Sequence, residues 1–142
     1  MRIMALDLGT KTIGVAMTDP LQIIPQAHET YWRRNQKEDL GYVVDLIERF
    51  QVGTVLIGLP LSDEDEETPM SEKARSFAAQ LAKKLRFTTR TALRPEIILW
   101  DERYSTQDAR ELLWEQEISK RDHKKYIDQI AASLILEDYL RR

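Results

Sequence analysis

The chain begins with two short apolar runs separated by a polar turn, and the first run ends on an aspartate. The runs cover residues 2–6 and 13–17, and Asp7 directly follows the first. Two short apolar runs around a glycine-containing turn predict a β-hairpin. Side chains alternate along a strand, so Ile3, Ala5 and Asp7 share one face of the first strand. An ionised carboxylate on such a face needs a metal, another cation or a donor-rich turn.

Strand-like and helix-like segments alternate over the rest of the chain. Further strands are predicted at 26–32, 54–57 and 97–100, and helices at about 40–50, 74–85, 105–117 and 126–140. Asn35 and Glu38 form a capping-box pattern before the first helix, and Gly53 is expected to separate that helix from the next strand. The pattern predicts a single α/β domain over residues 1–142, with a mixed sheet that opens with an antiparallel hairpin.

The last helix is expected to bring a second carboxylate towards the hairpin. A basic, polar stretch at 119–125 is predicted to lead into this helix, so that Asp128 lies near its beginning. Ala131 and Ala132 are small enough to let the helix approach the sheet closely. We therefore expect Asp128 to lie near Asp7.

Composition excludes several kinds of protein. The chain has 142 residues, is 42% hydrophobic and contains no cysteine, so disulfides and thiolate metal sites are excluded. No apolar run approaches the roughly 20 residues that a membrane span needs, and the N-terminus lacks the pattern of a secretory signal. A cytoplasmic protein without a membrane partner is expected.

Charge is distributed unevenly although the net charge is only −3. Residues 1–69 carry 6 basic and 12 acidic side chains, whereas residues 70–142 carry 15 basic and 12 acidic ones. Much of the acid lies in the run 63–67, which we predict to be an exposed loop. A basic face that binds nucleic acid is therefore compatible with the negative total, because local potential governs such binding.

Acidic residues occur where strands or helices present them to one edge of the sheet. Asp7 ends the first strand, Asp101 and Glu102 end the last, and Asp128 belongs to the final helix. Converging carboxylates without cysteine suit a hard cation such as Mg²⁺ or Mn²⁺. Two such ions can activate water and stabilise the leaving oxygen of a phosphodiester.

Four motifs follow one another along the chain: Asp7-Leu-Gly-Thr-Lys-Thr-Ile-Gly-Val-Ala, Gly58-Leu-Pro, Asp101-Glu-Arg-Tyr-Ser-Thr, and Lys125-Tyr-Ile-Asp-Gln-Ile-Ala-Ala-Ser-Leu-Ile-Leu. Together they resemble the YqgF family, also described as RuvX-like or Holliday-junction-resolvase-like. The resemblance covers essentially the whole chain and implies an RNase H-like fold with helices on both faces of the sheet. Members of that family are described as nucleases that trim the 5′ end of precursor 16S ribosomal RNA. By resemblance, the catalytic, metal-binding carboxylates are Asp7, Glu102 and Asp128.

Several polar residues are candidates for contacts with a phosphate backbone. The candidates are Thr10 and Lys11 at the hairpin turn, Arg103, and a basic patch of Lys120, Arg121, Lys124 and Lys125. For each, a solvated surface position or a local ion pair is the alternative. The acidic run after Gly58-Leu59-Pro60 departs from the family pattern, which has a polar, glycine-containing loop there, and its acid would repel phosphate.

The sequence leaves other interpretations open. Asp101 is an alternative ligand to Glu102, and a Holliday junction resolvase is an alternative nuclease. A non-catalytic nucleic-acid-binding domain is an alternative to any nuclease. An actin-type ATPase also has Asp-Leu-Gly-Thr in a hairpin, but it binds nucleotide between two lobes.

A monomer and a homodimer are both compatible with the sequence. His28 and His123 are interpreted as surface residues, and the tryptophans as core or rim packing residues rather than base-stacking platforms: Trp32, Trp100 and Trp114.

Overall fold

A computed structural model describes residues 1–61, 64, 66–102 and 120–142. Within the last of these segments, side chains are described from residue 126 onwards. In chain order, the elements are β1 (Arg2–Leu8), β2 (Thr12–Thr18), β3 (Pro25–Trp32), α1 (Gln36–Phe50), β4 (Val52–Leu59), α2 (Pro69–Phe87), β5 (Glu96–Asp101) and α3 (Lys120–Arg141). The predicted segment at 105–117 lies outside the described residues.

The five strands form one mixed sheet in the order β3-β2-β1-β4-β5. Strand β2 pairs antiparallel with both β1 and β3, whereas β4 pairs parallel with both β1 and β5. The first strand therefore lies at the centre of the sheet. The prediction of a mixed sheet that opens with an antiparallel hairpin is confirmed.

Helices cover both faces of the sheet because side chains alternate along the central strands. Met4 and Leu6 of β1 face a large core shared with α1 and α2. Ile3 and Ala5 face a smaller core, to which α3 contributes Ala132 and its neighbours. Asp7 follows the same alternation as Ile3 and Ala5, so its side chain lies on the α3 face.

Local signals explain where the first two helices begin and end. The Asn35 side chain accepts a hydrogen bond from the backbone N–H of Glu38 at 2.9 Å, which confirms the predicted cap of α1. Thr68 and Ser71 form a reciprocal capping box at the start of α2. Helix α1 ends at Gln51 in a left-handed conformation, so Gly53 does not separate helix from strand as predicted but lies inside β4.

The final helix begins earlier than the sequence pattern predicted. Its range starts at Lys120, so residues 120–125 are helical and Asp128 lies more than two turns inside the helix. The prediction of a non-helical basic stretch was wrong, because Lys and Arg are good helix formers and no glycine or proline interrupts the segment. Favourable interaction with a helix N-terminus therefore does not explain Asp128.

Surface residues bear out one prediction and correct another. Glu64, Glu66 and Glu67 are exposed, as expected for the acidic run, and Glu67 pairs with Arg75 at 2.5 Å. Trp32, which was interpreted as a packing residue, is 64% exposed at the end of the edge strand β3. In the part of the chain that the structure describes, no helix is both long and apolar enough to cross a membrane.

Candidate active site

Asp7 lies near the end of the central strand, and a residue without a side chain faces it across the hairpin. Its partner in the antiparallel pair of β1 and β2 is Gly14. A Cβ atom added to Gly14 would lie 2.0 Å from the backbone oxygen of Asp128 and 2.3 Å from its carbonyl carbon. Gly14 therefore lets α3 contact the sheet beside Asp7, and no side chain larger than hydrogen fits there without moving the helix.

The close approach of α3 is reinforced by a hydrogen bond from the hairpin. The Thr12 hydroxyl donates to Oδ2 of Asp128 across 116 residues of sequence. Ala131 and Ala132 are almost fully buried one turn further along the helix, as their small size predicted. The contact fixes one oxygen of Asp128 towards the hairpin and links the two elements directly.

A second glycine makes room for Glu102 on the other side of Asp7. Gly58 follows Ile57, whose partner in β1 is Leu6. A Cβ atom added to Gly58 would lie 2.1 Å from Oε2 of Glu102. The backbone N–H of Glu102 donates to the carbonyl of Leu59 at 3.0 Å, which holds Glu102 one residue beyond the end of β5.

The three carboxylates interact electrostatically, and the pKa of Asp7 records the result. Burial raises the pKa of the Asp7 carboxyl above its ordinary value, and the negative charge of Asp128 adds to the increase. A hydrogen bond between the side chains of Asp7 and Glu102 partly offsets it. Two carboxyl groups can share a hydrogen bond only while one of them carries a proton. The cluster of Asp7, Glu102 and Asp128 thus accumulates negative charge that a cation would neutralise.

The donor set suits a hard divalent cation, although the ligands are not yet arranged around one point. All three side chains offer oxygen atoms, which Mg²⁺ and Mn²⁺ prefer. Among the residues that the structure describes, no group of three or more histidine, cysteine, aspartate or glutamate side chains is placed to hold one metal ion. Asp7 and Glu102 are in contact, whereas Asp128 is directed to Thr12.

Asp101 occupies a different environment from its neighbour Glu102. It is exposed at the end of β5, where removal from water and then the charge of Asp138 raise its pKa. Asp138 also accepts a hydrogen bond from the Trp100 indole at 2.8 Å. The structure brings Glu102, and not Asp101, into hydrogen-bond contact with Asp7.

The predicted phosphate-binding residues are only partly described. Thr10 and Lys11 are exposed at the tip of the hairpin. Arg103 lies outside the described residues. The basic patch of Lys120, Arg121, Lys124 and Lys125 forms the beginning of α3, and its side chains lie outside the description.

Sequence reasoning missed an ion pair that holds the hairpin turn in place. Asp39 of α1 is 1% exposed and accepts hydrogen bonds from the Tyr31 hydroxyl, Nε of Arg33 and the backbone N–H of Arg34, each at 3.0 Å. Arg33 also donates from Nη1 to the carbonyl of Gly9 at 2.9 Å. The Arg33–Asp39 anchor therefore joins α1, β3 and the turn that follows Asp7. An aspartate in the first turn of a predicted helix was its only signal in the sequence.

Comparison with known proteins agrees with this architecture. The family model described as "RuvX: Holliday junction resolvase" matches residues 1–142. A protein of Halalkalibacterium halodurans named "Putative pre-16S rRNA nuclease" is 38% identical over 145 residues, covering 100% of this chain and 97% of that protein. A protein of the same name from Myxococcus xanthus is 41% identical over 140 residues, covering 99% and 87%.

Solved structures with low sequence identity share the fold. The RuvC protein of Thermus thermophilus in complex with a Holliday junction substrate aligns with a TM-score of 0.56 at 16% identity, covering 99% of this chain and 95% of that one. The fowlpox virus Holliday junction resolvase aligns with a TM-score of 0.57 at 15% identity, covering 99% of both chains. The predicted RNase H-like fold is confirmed.

Proposed function

The chain belongs to the RuvX (YqgF) family, and from this premise we propose that it is a metal-dependent endonuclease that matures the 5′ end of precursor 16S ribosomal RNA in the cytoplasm. The relatives with 38% and 41% identity are named "Putative pre-16S rRNA nuclease". The observation that carries the proposal is the convergence of Asp7, Glu102 and Asp128 on one face of the sheet, with the pKa of Asp7 raised. A site built only of carboxylates supports phosphodiester hydrolysis assisted by cations.

In the proposed mechanism, Asp7 and Glu102 would hold Mg²⁺ or Mn²⁺, and Asp128 would complete the ligand set. When bound, two such ions would supply an activated water and stabilise charge on the leaving oxygen. The chain itself provides the scaffold. Gly14 and Gly58 leave space beside Asp7, while the Thr12 hydroxyl holds Asp128 within reach.

The basic residues are proposed to position the substrate rather than to read its sequence. Thr10 and Lys11 at the exposed hairpin tip, together with Arg103 and the basic patch at the beginning of α3, would contact the phosphate backbone. Contacts of this kind fix the register and orientation of a nucleic acid. Structured RNA is recognised mainly through its shape and backbone, so these residues suit an RNA substrate.

A four-way DNA junction is the second candidate substrate. The family description and the two structural neighbours name Holliday junction resolution. Resolution needs two symmetric cuts and therefore a homodimer, whereas a monomer suffices to trim RNA. A junction substrate would therefore require a homodimer, so a prediction of the substrate is also a prediction of the oligomeric state.

The decisive experiment is cleavage of a 5′-extended 16S ribosomal RNA precursor beside a four-way DNA junction, with Mg²⁺ or Mn²⁺ and with EDTA. We expect wild-type protein to cut the precursor only with the metal. Asp7→Asn should lower the rate about 1000-fold or more, because it removes several kcal/mol of charge stabilisation by the metal, while leaving RNA binding intact.

A neighbouring pair of variants tests the ligand assignment. Glu102→Gln should abolish cleavage as Asp7→Asn does, whereas the adjacent Asp101→Asn should retain it. The opposite result would transfer the ligand role to Asp101. Cutting of the junction alone would establish the resolvase, and RNA binding without any cutting would favour a non-catalytic domain.

A further inference from the structure

A groove opens on the side of the hairpin opposite the carboxylate cluster. We call it the Trp32 groove; it has a volume of about 790 Å³, and its lining includes Lys11, Trp32, Arg34, Lys73 and Gln80. The hairpin tip, the end of β3 and the exposed face of α2 form its walls. It is thus built on the α1 and α2 side of the sheet, whereas Asp7 lies on the α3 side.

Trp32 is one of the residues that line this groove, at the end of β3 where the sheet meets the hairpin tip. Its side chain is 64% exposed, although tryptophan usually buries most of its ring. Its backbone is held by the pairing with Thr12 in β2. The backbone beyond it is held as well, because the buried Arg33–Asp39 anchor follows directly. A fixed and exposed aromatic ring is the platform on which unpaired bases stack.

The charges that line the groove are predominantly positive. Lys11, Arg34 and Lys73 are exposed, and within the described residues none of them takes part in an ion pair. The acidic residue in the lining, Asp39, is neutralised by Arg33 at 3.0 Å. The groove therefore attracts a polyanion even though the whole chain carries −3.

Trp32 also links the groove to the face of the sheet that carries the carboxylate cluster. Thr12 is the cross-strand partner of Trp32, and its hydroxyl donates to Asp128. A strand that lies on Trp32 and crosses the hairpin tip would consequently reach the three carboxylates. Continuity of this kind identifies the occupant as part of the substrate rather than as a separate ligand.

We propose that the Trp32 groove binds an unpaired segment of nucleic acid next to the bond that is cleaved. A base stacks on the Trp32 indole, and the phosphates contact Lys11, Arg34 and Lys73. The occupant is unpaired because a base within a duplex does not offer a free face to a side chain at an edge strand. The inference rests on the proposed nuclease function and adds the form of substrate that the site selects.

Binding measured in EDTA tests the groove independently of cleavage. The probe is a fluorescein-labelled single-stranded RNA of about 12 nucleotides, a length typical of single-strand sites, and a blunt RNA duplex serves as the comparison. Trp32→Ala should weaken binding of the single strand by about 5- to 100-fold, because one stacking contact is lost. Trp32→Phe should retain most of the affinity, and duplex binding should change little.

Matched variants on α2 distinguish the groove from the general surface. Phe87 is 70% exposed on the same helix but does not line the groove, so Phe87→Ala should bind like wild type. Lys73→Ala should reduce the salt dependence of binding by about 0.7 in log–log slope, the value for one phosphate contact on a single strand. Lys83→Ala, on the same helix outside the groove, should not.

Several results would overturn the inference. Equal weakening by Trp32→Ala and Phe87→Ala would do so, as would equal slopes for Lys73→Ala and Lys83→Ala. Competition by a polyglutamate peptide as strong as that by RNA would show that only charge is read. If these results occur while metal-dependent cleavage of the precursor persists, the groove fails and the nuclease function stands. If the wild-type protein neither binds nor cuts nucleic acid, both fail.

Discussion

Two carboxyl groups, half-buried Asp7 and buried Asp39, lie on opposite faces of the same sheet and have opposite surroundings. Asp39 receives three hydrogen bonds, one of them from the guanidinium of Arg33. Asp7 faces two further carboxyl groups, and its pKa is raised. A carboxylate that the chain itself neutralises is part of the fold, and removing it leaves the charge of its partner uncompensated. One that is surrounded by other acids is left to be neutralised by something from outside, as functional sites often require.

The largest expected effect concerns Asp39, the carboxylate that the chain itself neutralises. Asp39→Ala would leave the Arg33 guanidinium, whose side chain is only 19% exposed, without its carboxylate. Loss of one partner of a buried pair should lower the free energy of unfolding by about 3–5 kcal/mol, as measured by urea denaturation. Asp45→Ala is the control, because its ion pairs with Arg49 and Arg90 are exposed and worth about 1 kcal/mol or less. Similar losses in both variants would contradict the comparison.

The carboxylate cluster around Asp7 is tested by removing the hydrogen bond from Thr12 that orients Asp128. Thr12→Val keeps the shape of the side chain and deletes its donor. We expect metal-dependent cleavage to fall by about 10- to 100-fold, the usual cost of losing a group that orients a ligand. Thr89→Val changes an exposed threonine between α2 and β5, far from the carboxylates, and is the control. If both variants cleave like wild type, Thr12 does not position Asp128.

The close approach of α3 to the hairpin depends on Gly14. Gly14→Ala should lower the free energy of unfolding by about 1–3 kcal/mol and reduce cleavage, because the added Cβ would collide with the backbone of Asp128. Gly41→Ala is the opposite case. Its Cβ would lie 3.5 Å from an Arg90 nitrogen, so an alanine within α1 should be neutral or raise stability by up to about 1 kcal/mol. Thermal unfolding of both variants decides the point.

The smallest expected effect concerns the pH dependence of stability without metal. Because burial raises the pKa of Asp7 in the folded protein, ionisation of Asp7 opposes folding. The penalty is absent below the unfolded-state pKa and complete above the folded-state pKa. We expect Asp7→Asn and wild type, both in EDTA, to melt together in acid, with the variant melting higher at neutral pH.

Asp19 provides a control of opposite sign for that measurement. The backbone N–H groups of Ile24, Ile23 and Leu21 lower its pKa, so its ionised form stabilises the folded state at pH values above the unfolded-state pKa. Asp19→Asn should therefore melt below wild type at neutral pH, and the difference should vanish as the pH falls through the lowered pKa. A neutral-pH gap of the same sign for both variants would contradict the assignment.

Periodicity and turn chemistry made most of the fold predictable. The hairpin, the placement of Asp7 beside Ile3 and Ala5, and the cap of α1 at Asn35 all follow from short-range patterns, which is why the structure confirms them. The polar stretch before Tyr126 predicts a loop, but α3 begins at Lys120 because Lys and Arg favour helices. The exposure of Trp32 was mispredicted because the sequence does not show that β3 forms the edge of the sheet.

The amino-acid sequence by itself determined the order of strands and helices along the chain, the exclusion of cysteine ligands and the resemblance to one family, because each depends on residue type and spacing. Only the tertiary structure decided that Glu102 contacts Asp7, that Gly14 and Gly58 make room for the other two carboxylates, and that the positive charges beside Trp32 form a groove. These contacts join residues far apart in the chain. Their distances depend on strand order and on how closely α3 packs, and short-range patterns carry no information about either.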